Sequence, residues 1–274
     1  MAGRLLRAME HYGRTLVAFS GGVDSSVVLA AAVRSLGPQQ VAAVTAVSPS
    51  LPAAELSAAA GFCGALGVTH YTPETTELDN AGYRENGALR CYFCKSVLLD
   101  TAAHLAVAFD YDTIATGTNA SDITAGFRPG IRAASERGAR TPLADIGADK
   151  AEVRSIARAW SLPTWNKPAA ACLSSRIAFG IQISPWRLGR VERAEESIRL
   201  LLQADKVDNL RVRDLGESVR LEVDQPLVEK TRKNAAVLEV IRTAGFGDLP
   251  FSVEAFRSGS MNELLSASDR LRAL

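Results

Sequence analysis

Residues 14–26 read RTLVAFSGGVDSS, a short apolar run that passes directly into a glycine pair and two serines. Residues 14–19 have the pattern of a buried strand, and residues 25–36 that of a helix that ends at Gly37. Glycines between a strand and a helix let backbone N–H groups approach a ligand closely. The start of the helix adds unpaired N–H donors and the positive end of its dipole. The stretch therefore predicts a phosphate-binding loop.

Asp24 is the residue of this loop that calls for a cation. A carboxylate beside phosphates is repelled unless a positive ion lies between them, which predicts Mg²⁺. The hydroxyls of Ser20, Ser25 and Ser26 are candidate donors to phosphate oxygens. The loop lacks the Gly-Lys-Ser/Thr sequence of a Walker A motif. A serine-capped helix after a glycine turn, without a ligand, is the alternative interpretation.

Beyond the loop, apolar runs alternate with segments of helical period. Up to residue 117 the predicted elements are strands at 40–47, 68–72 and 113–117 and helices at 52–66 and 94–108. This alternation favours a Rossmann-like α/β fold, in which helices cover both faces of a parallel sheet. Later in the chain the predicted elements are helices at 185–204 and 227–244 and strands at 209–213, 218–223 and 251–255. We therefore expect two domains, an α/β domain at 1–165 and a smaller α+β domain at 166–274.

The composition limits the class of protein. The chain of 274 residues is 47% hydrophobic with a net charge of +1. It contains no run of about 18 apolar residues, so we expect no transmembrane span. Residues 1–11 lack the apolar core of a signal peptide, which favours a cytoplasmic protein. Neither predicted domain is strongly basic, so a nucleic-acid partner is not expected.

Cys91 and Cys94 lie in the sequence RCYFCK at the start of a predicted helix. Two thiols at this spacing suit a metal centre, a redox couple or simple packing, and the motif alone is weak evidence for any of them. A closed zinc site lacks ligands, because the sequence has neither a second such pair nor a nearby histidine pair. With Cys172, three thiolates are enough to hold a 4Fe–4S cluster with one iron left open. Cys63 has the sequence context of a buried thiol on a helix.

Cys172 lies in KPAAACLSSRI, and the small residues before it predict an accessible thiol. Lys167 and Arg176 lie nearby in the sequence and favour the thiolate form, which suits attack on an adenylated carboxylate or coordination of iron. The alternative is a buried cysteine in an apolar loop. Arg211 and Arg213 point to the same face of a strand, which suits a phosphate between them or an exposed strand face.

The string SGGVDSS resembles the loop of the PP-loop ATP pyrophosphatases, of the adenine nucleotide alpha hydrolase type. These enzymes cleave ATP to AMP and pyrophosphate and adenylate an acceptor oxygen. A second segment, ATGTNASD at residues 115–122, resembles another nucleotide-contact segment of the family. The resemblance implies that ATP is bound by Ser20, Gly21, Gly22, Asp24, Ser25, Ser26, Gly117, Thr118 and Asn119.

Together with RCYFCK, FRPG, KPAAACLSSRI and the RVR strand, these motifs resemble the LarE sulfur transferases. That family makes the nickel-pincer nucleotide cofactor of lactate racemase. The resemblance implies adenylation of the carboxylates of pyridinium biscarboxylic acid mononucleotide, followed by their conversion to thiocarboxylates. It further implies a hexameric homo-oligomer, with the substrate phosphate bound by Ser175, Arg176, Arg211 and Arg213.

The source of the sulfur is where members of the family differ. In single-cysteine members the cysteine at the Cys172 position is sacrificed and becomes dehydroalanine. This sequence also carries Cys91 and Cys94, and so resembles the three-cysteine members, whose cysteines hold a 4Fe–4S cluster that carries an extra sulfide. Delivery of sulfur from such a cluster is the preferred hypothesis, and sacrifice of Cys172 is the alternative.

Two other functions account for part of the pattern. A PP-loop tRNA thiolation enzyme would also carry cluster cysteines, but it predicts a basic RNA-binding surface that the near-neutral charge does not favour. A nucleotide-binding regulatory module without chemistry would explain the loop, but it leaves Cys172 and the paired arginines without a role.

Overall fold

The computed structural model describes residues 1–125, 128–168, 172–257 and 259–264. Phe127 of the FRPG segment lies outside the described residues. So do the alanines at 169–171, on which the expected accessibility of Cys172 partly rested. Within the described part of the chain, no helix is long and apolar enough to cross a membrane.

A parallel sheet forms the first half of the molecule. Its strands are β1 (Thr15–Ala18), β2 (Val41–Val44), β3 (Thr69–Tyr71) and β4 (Thr113–Thr116), in the order β3-β2-β1-β4. Ala18 pairs with Val44 on one side and with Thr116 on the other. The carboxyl ends of these strands therefore lie side by side at one edge of the sheet. The predicted α/β fold is confirmed.

The helices of this half flank the sheet. They are α1 (Ala2–Met9), α2 (Val23–Leu36), α3 (Ala53–Leu66), α4 (Ala81–Arg84), α5 (Arg90–Ala108), α6 (Ala120–Thr124), α7 (Pro129–Glu136), α8 (Pro142–Asp145) and α9 (Lys150–Ala159). Helix α2 packs against α1 and α9 as well as the sheet, and its run from Val27 to Ala32 is fully buried. A helix without a polar face is stable only when it is enclosed in this way. Helix α2 is thereby anchored in the core, with its first turn at the edge of the sheet.

The second half is the smaller α+β unit that the sequence predicts. It contains α10 (Pro185–Leu201), β5 (Leu210–Asp214), β6 (Val219–Val223), α11 (Val228–Arg232), α12 (Ala235–Ile241) and β7 (Phe251–Ala255). Strands β5 and β6 are antiparallel, whereas β6 and β7 are parallel. The prediction of a single helix at 227–244 is wrong. The helix is interrupted between α11 and α12, where the side chain of Asn234 accepts the Ala236 N–H and begins a new helix.

Each half has its own apolar core, and several residues of the first half, Tyr83 and Phe93 among them, pack into the core of the second half. Tyr83 of α4 is fully buried in the core of the α+β unit, among side chains such as Leu173 and Leu188. Its hydroxyl lies 2.5 Å from Ser174 Oγ. The short segment before α5 is therefore packed against both halves. The domain boundary at residues 165 and 166 stays a prediction.

Asp214 at the end of β5 is fully buried and receives two guanidinium groups. Arg187 Nη1 donates to both carboxylate oxygens at 2.9 Å, and Arg190 Nη2 donates to Oδ2 at 2.5 Å. The Arg190 guanidinium also lies between the rings of Trp186 and Phe246, 4.2 and 4.3 Å from their centroids. These contacts fasten helix α10 to the small sheet.

We expect Asp214→Asn to lower the free energy of unfolding by about 3–5 kcal/mol, because it leaves buried guanidinium charge without its carboxylate. Urea denaturation followed by circular dichroism measures the loss. Asp110→Asn is the control, since Asp110 pairs with Arg14 at the surface and is 96% exposed. The Asp110→Asn variant is expected to have the same free energy of unfolding as the wild type. Equal stability of the two variants would contradict a structural role for Asp214.

Candidate functional site

The phosphate loop lies where β1 turns into α2 at the carboxyl edge of the sheet. Gly21 has a φ of +69°, a backbone conformation that glycine adopts readily. The Gly22 carbonyl accepts the Ser26 N–H at 3.0 Å and the Ser26 hydroxyl at 2.8 Å. Ser25 Oγ lies 3.1 Å from Ser20 Oγ, and both residues line the cavity above the loop, whereas Ser26 is fully buried. Ser20 and Ser25 therefore lie on the predicted phosphate cavity, and the hydroxyls of Ser25 and Ser26 both donate to the Gly22 carbonyl and hold the loop backbone.

The second predicted segment closes this cavity from strand β4. Gly117 packs so tightly on the loop that a Cβ atom built on it would lie 2.6 Å from Ser25 N. Asn119 caps helix α6, and its Nδ2 donates to Asp24 Oδ1 at 2.8 Å. The structure thus joins two segments that lie about ninety residues apart in the chain. That both bind ATP stays a prediction.

Asp24 lies on the wall of the loop cavity, whose volume is about 230 Å³. Burial raises the pKa of this carboxyl above its ordinary value, the Asn119 hydrogen bond lowers it, and the negative charge of Asp122 raises it again. A carboxylate that is costly to ionise alone is stabilised when a cation binds beside it. Asp24 and Asp122, both on this cavity, are suitable oxygen ligands for Mg²⁺ bound with ATP.

Cys91, Cys94 and Cys172 line a second cavity, of about 400 Å³. Cys91 and Cys94 lie on the first turns of α5, and Cys172 precedes a 3₁₀ turn at Leu173–Arg176. Cys91 is exposed, whereas the other two thiols are partly buried. Burial, together with the charges of neighbouring thiols, raises the pKa of Cys94 well above its ordinary value. The sequence alone did not show that these cysteines share one chamber.

The composition of this chamber fits a group held by thiolates. Arg90, whose side chain is enclosed, lies beside the Cys91 sulfur at 3.9 Å and donates to the Ser174 carbonyl at 3.0 Å. Positive charge next to thiols stabilises their deprotonated, metal-binding form. Across the described residues, however, no three histidine, cysteine or acidic side chains are already grouped closely enough to hold a metal ion.

Lys95 was missed by the sequence reasoning, although it follows Cys94 directly in RCYFCK. It lines both the loop cavity and the cysteine cavity, as do Leu98, Thr118 and Asp122. Burial lowers the pKa of its ammonium group. A half-buried ammonium group at this junction is well placed to bind an anion that spans the two cavities.

A buried polar cluster beside the cysteine cavity was also missed. The Glu77 carboxylate is 3% exposed and accepts hydrogen bonds from Ser48, Ser50 and Thr75. The Ser50 carbonyl in turn accepts the Leu173 N–H at 2.9 Å, next to Cys172. Short runs of serine, threonine and glutamate occur throughout surface loops, so no signal in the sequence singled out these residues.

Arg176 and Arg211 line a third cavity, of about 220 Å³, on the other side of the Cys172 segment. Arg176 forms a paired contact with Glu195, at 2.9 and 3.2 Å. Burial lowers the pKa of Arg211 to about 10, and the charge of Arg176 adds to the effect. Acidic side chains, among them Glu192 and Glu196, line the same cavity, so the guanidinium groups do not by themselves define an anion site.

Ser175 and Arg213 do not line this cavity but contact the residues that form its wall. Arg213 donates to Glu222 at 2.7 and 3.0 Å within the small sheet, and its Nη1 donates to the Ser175 carbonyl at 3.2 Å. The Ser175 hydroxyl donates to the Cys172 carbonyl at 2.8 Å. The structure thus brings Ser175, Arg176 and Arg213 around the turn that follows Cys172.

Comparison with known proteins adds an independent line of evidence. Residues 8–88, which include the loop, match the NAD synthase family. The chain is 40% identical over 256 residues to the uncharacterized protein slr1717 of Synechocystis sp., covering 92% of this chain and 93% of that one. It is 29% identical over 263 residues to pyridinium-3,5-bisthiocarboxylic acid mononucleotide synthase of Lactiplantibacillus plantarum, covering 96% and 94%. An uncharacterized protein of Methanocaldococcus jannaschii, MJ0830, is 27% identical over 169 residues, covering 62% and 64%.

The glycine loop lies at the carboxyl edge of a parallel sheet, within a segment that matches the NAD synthase family. Together these features define an ATP-using enzyme of the PP-loop class. The relatives that span nearly the whole chain narrow the assignment further. The chain belongs to the LarE-type family of PP-loop proteins.

We expect Gly117→Ala to weaken ATP binding about tenfold or more, because the added methyl group forces β4 away from the loop backbone. Isothermal titration with a non-hydrolysable ATP analogue measures the dissociation constant. Gly64→Ala in α3 is the matched control, since a Cβ there meets no other atom within 4 Å. Unchanged affinity in Gly117→Ala would show that the nucleotide does not depend on this contact.

Proposed function

We propose that the protein is an ATP-dependent sulfur transferase that forms AMP and pyrophosphate. Its acceptor is pyridinium biscarboxylic acid mononucleotide, whose carboxylates become thiocarboxylates for the nickel-pincer cofactor of lactate racemase. The observation that carries the proposal is the shared wall between the loop cavity and the cysteine cavity, formed in part by Lys95 and Thr118. The cysteine cavity thus adjoins the cavity in which we propose that the adenylate forms, which supports sulfur transfer to it. The name of the relative from L. plantarum, a synthase of the bisthiocarboxylic acid mononucleotide, supports the same acceptor.

Adenylation is the first step. A carboxylate oxygen of the substrate attacks the α-phosphorus of ATP, and pyrophosphate leaves with the bonding electrons. The loop N–H groups, the Ser20 and Ser25 hydroxyls and the cation beside Asp24 would stabilise the charge on the departing pyrophosphate. Lys95, on the common wall, is placed to neutralise the α-phosphate as the acyl adenylate forms.

Sulfur transfer is the second step. A sulfur nucleophile attacks the carbonyl carbon of the acyl adenylate, the C–O bond to AMP breaks, and AMP leaves. Under the preferred hypothesis Cys91, Cys94 and Cys172 hold a 4Fe–4S cluster, which would supply a sulfide bound at its open iron. The three thiols facing one chamber, with Arg90 beside them, support this hypothesis.

Sacrifice of Cys172 is the alternative route to the same product. Its Sγ would displace AMP to form a thioester. Loss of the Cys172 Cα proton would then break the Cβ–S bond, leaving dehydroalanine in the chain and the thiocarboxylate on the substrate. The position of Cys172 on the cysteine cavity is compatible with both routes.

The substrate phosphate would bind in the third cavity, at Arg176 and Arg211, with Ser175 and Arg213 shaping its wall. Glu195 already pairs with Arg176, so a phosphate would share or replace that contact. A homo-oligomer, hexameric by resemblance, is part of the proposal.

Asp24→Asn is expected to lower pyrophosphate release about 100-fold or more, because the cation loses one of its charged ligands. Cys172→Ala is expected to release pyrophosphate normally yet form no thiocarboxylate. A pyrophosphate-coupled assay and mass spectrometry of the nucleotide product measure the two steps. Cys63→Ala, which removes a buried thiol that lines none of the three cavities, is the control for both. If tRNA and not the pyridinium mononucleotide triggers pyrophosphate release, the thiolation alternative is correct. If neither acceptor does so, the regulatory module is favoured.

The intact mass of the protein after turnover distinguishes the two sources of sulfur. Cluster delivery predicts an unchanged chain, a brown oxygen-sensitive protein, and loss of transfer in Cys91→Ser and Cys94→Ser. Sacrifice predicts loss of one H₂S per chain, and continued single turnover in those two variants. Full-rate product formation by Cys172→Ala would contradict both routes.

A further inference from the structure

Lys167 reaches from the start of the Cys172 segment back to the phosphate loop. Its ammonium group donates to the Gly21 carbonyl at 3.0 Å and to Glu55 Oε2, on helix α3, at 2.6 Å. The two side chains are only 22% and 24% exposed. Lys167 was expected to act on Cys172, whereas its charged end instead contacts the loop and α3.

This contact fixes the direction of one peptide unit. The Gly21 carbonyl and the Gly22 N–H belong to the same planar trans peptide, so they point in opposite directions. Lys167 lies outside the loop cavity and holds the carbonyl on its own side. The Gly22 N–H consequently points the other way, toward the cavity, where Gly22 and Ser20 lie together and the N–H is 3.4 Å from Ser20 Oγ.

Within the loop this peptide is held by a long hydrogen bond, from the Gly22 N–H to Ser20 Oγ at 3.4 Å. Glycine populates positive and negative φ about equally, so Gly21 and Gly22 could rotate the peptide between them at small cost. The opposite orientation would aim the carbonyl oxygen at the phosphates and replace an attractive N–H dipole by a repulsive one. An anchor outside the glycines is therefore needed to keep the N–H directed at the ligand.

Lys167 is held firmly enough to be that anchor. Arg154 of α9 donates to the Lys167 carbonyl and to the Trp165 carbonyl, both at 2.9 Å. The Lys167 N–H donates to the Thr164 carbonyl at 3.0 Å. The backbone of Lys167 is thus tied to a helix that packs against α2, the helix that begins at the loop.

We propose that Lys167 is a positioning residue for pyrophosphate binding, which holds the Gly21 carbonyl so that the Gly22 N–H faces the phosphates of ATP. It acts on the nucleotide through the backbone, since Lys167 does not line the loop cavity and Glu55 neutralises its charge. Lys167 and Glu55 also line the third cavity, so nucleotide binding is measured in the absence of the acceptor substrate. The proposal rests on the nucleotide site of the proposed function and adds a residue to it. Because Lys167 also begins the segment that carries Cys172, it joins the activating loop to the sulfur-transfer segment.

The test is the dissociation constant of a non-hydrolysable ATP analogue, measured by isothermal titration without acceptor substrate. Lys167→Met keeps the length of the side chain but removes the donor, and it is expected to weaken binding about tenfold or more, the usual cost of losing a charge-assisted hydrogen bond. Lys167→Arg retains a donor within reach and is expected to recover most of the affinity. In turnover assays the KM for ATP should rise in Lys167→Met and return toward the wild-type value in Lys167→Arg.

Glu55→Gln separates positioning from simple charge attraction. It leaves the Lys167–Gly21 contact in place and unmasks the lysine charge, so positioning predicts wild-type affinity. Charge attraction instead predicts tighter binding in Glu55→Gln that weakens with added salt. The proposal is overturned by that result, by wild-type affinity in Lys167→Met, or by a Lys167→Arg protein that binds as weakly as Lys167→Met. A wild-type protein that fails to bind the analogue at all refutes the proposed function instead.

Discussion

The carboxyl edge of the parallel sheet is the constraint on which the rest of the site depends. There β1 turns into α2 across Gly21 and Gly22, and Gly117 at the end of β4 packs against the same turn with no room for a side chain. Because α2 is enclosed by other elements, its first turn cannot shift to relieve a misfit. Backbone donors, the Asp24 carboxylate and the Asn119 amide are thereby held in one place before a ligand arrives, which lowers the cost of binding.

In the α+β unit, buried ion pairs hold side chains in fixed positions. Asp214, Glu195 and Glu222 each receive at least one buried guanidinium. Such pairs are costly to desolvate and contribute little net stability, but they tolerate few alternative geometries. The pairs of Glu195 and Glu222 converge on the turn after Cys172, through Arg176 and Arg213. The segment proposed to transfer sulfur is therefore held on one side by this unit and on the other by Lys167 at the loop.

Several elements were predictable because their signals are local. The strand at residues 14–19, the glycine turn and the helix after it follow from side-chain pattern and backbone freedom within a dozen residues. The small sheet was equally evident from two strands around a turn. The long helix predicted at 227–244 was wrong, because a single Asn234 cap outweighed the apolar period that runs through it. The free energy contributed by a helix cap is large enough to end one short helix and begin another.

The sequence by itself determined the strand–loop–helix unit, the two-part architecture and the chemical type of each candidate residue, because these depend on short-range patterns. Only the tertiary structure showed that Cys91, Cys94 and Cys172 line one chamber and that Lys95 lies on its common wall with the loop cavity. It alone showed that Arg213 supports the Cys172 turn and that Lys167 contacts Gly21. These contacts join residues far apart in the chain, and their geometry depends on how the helices pack on the sheet. No local pattern encodes that packing.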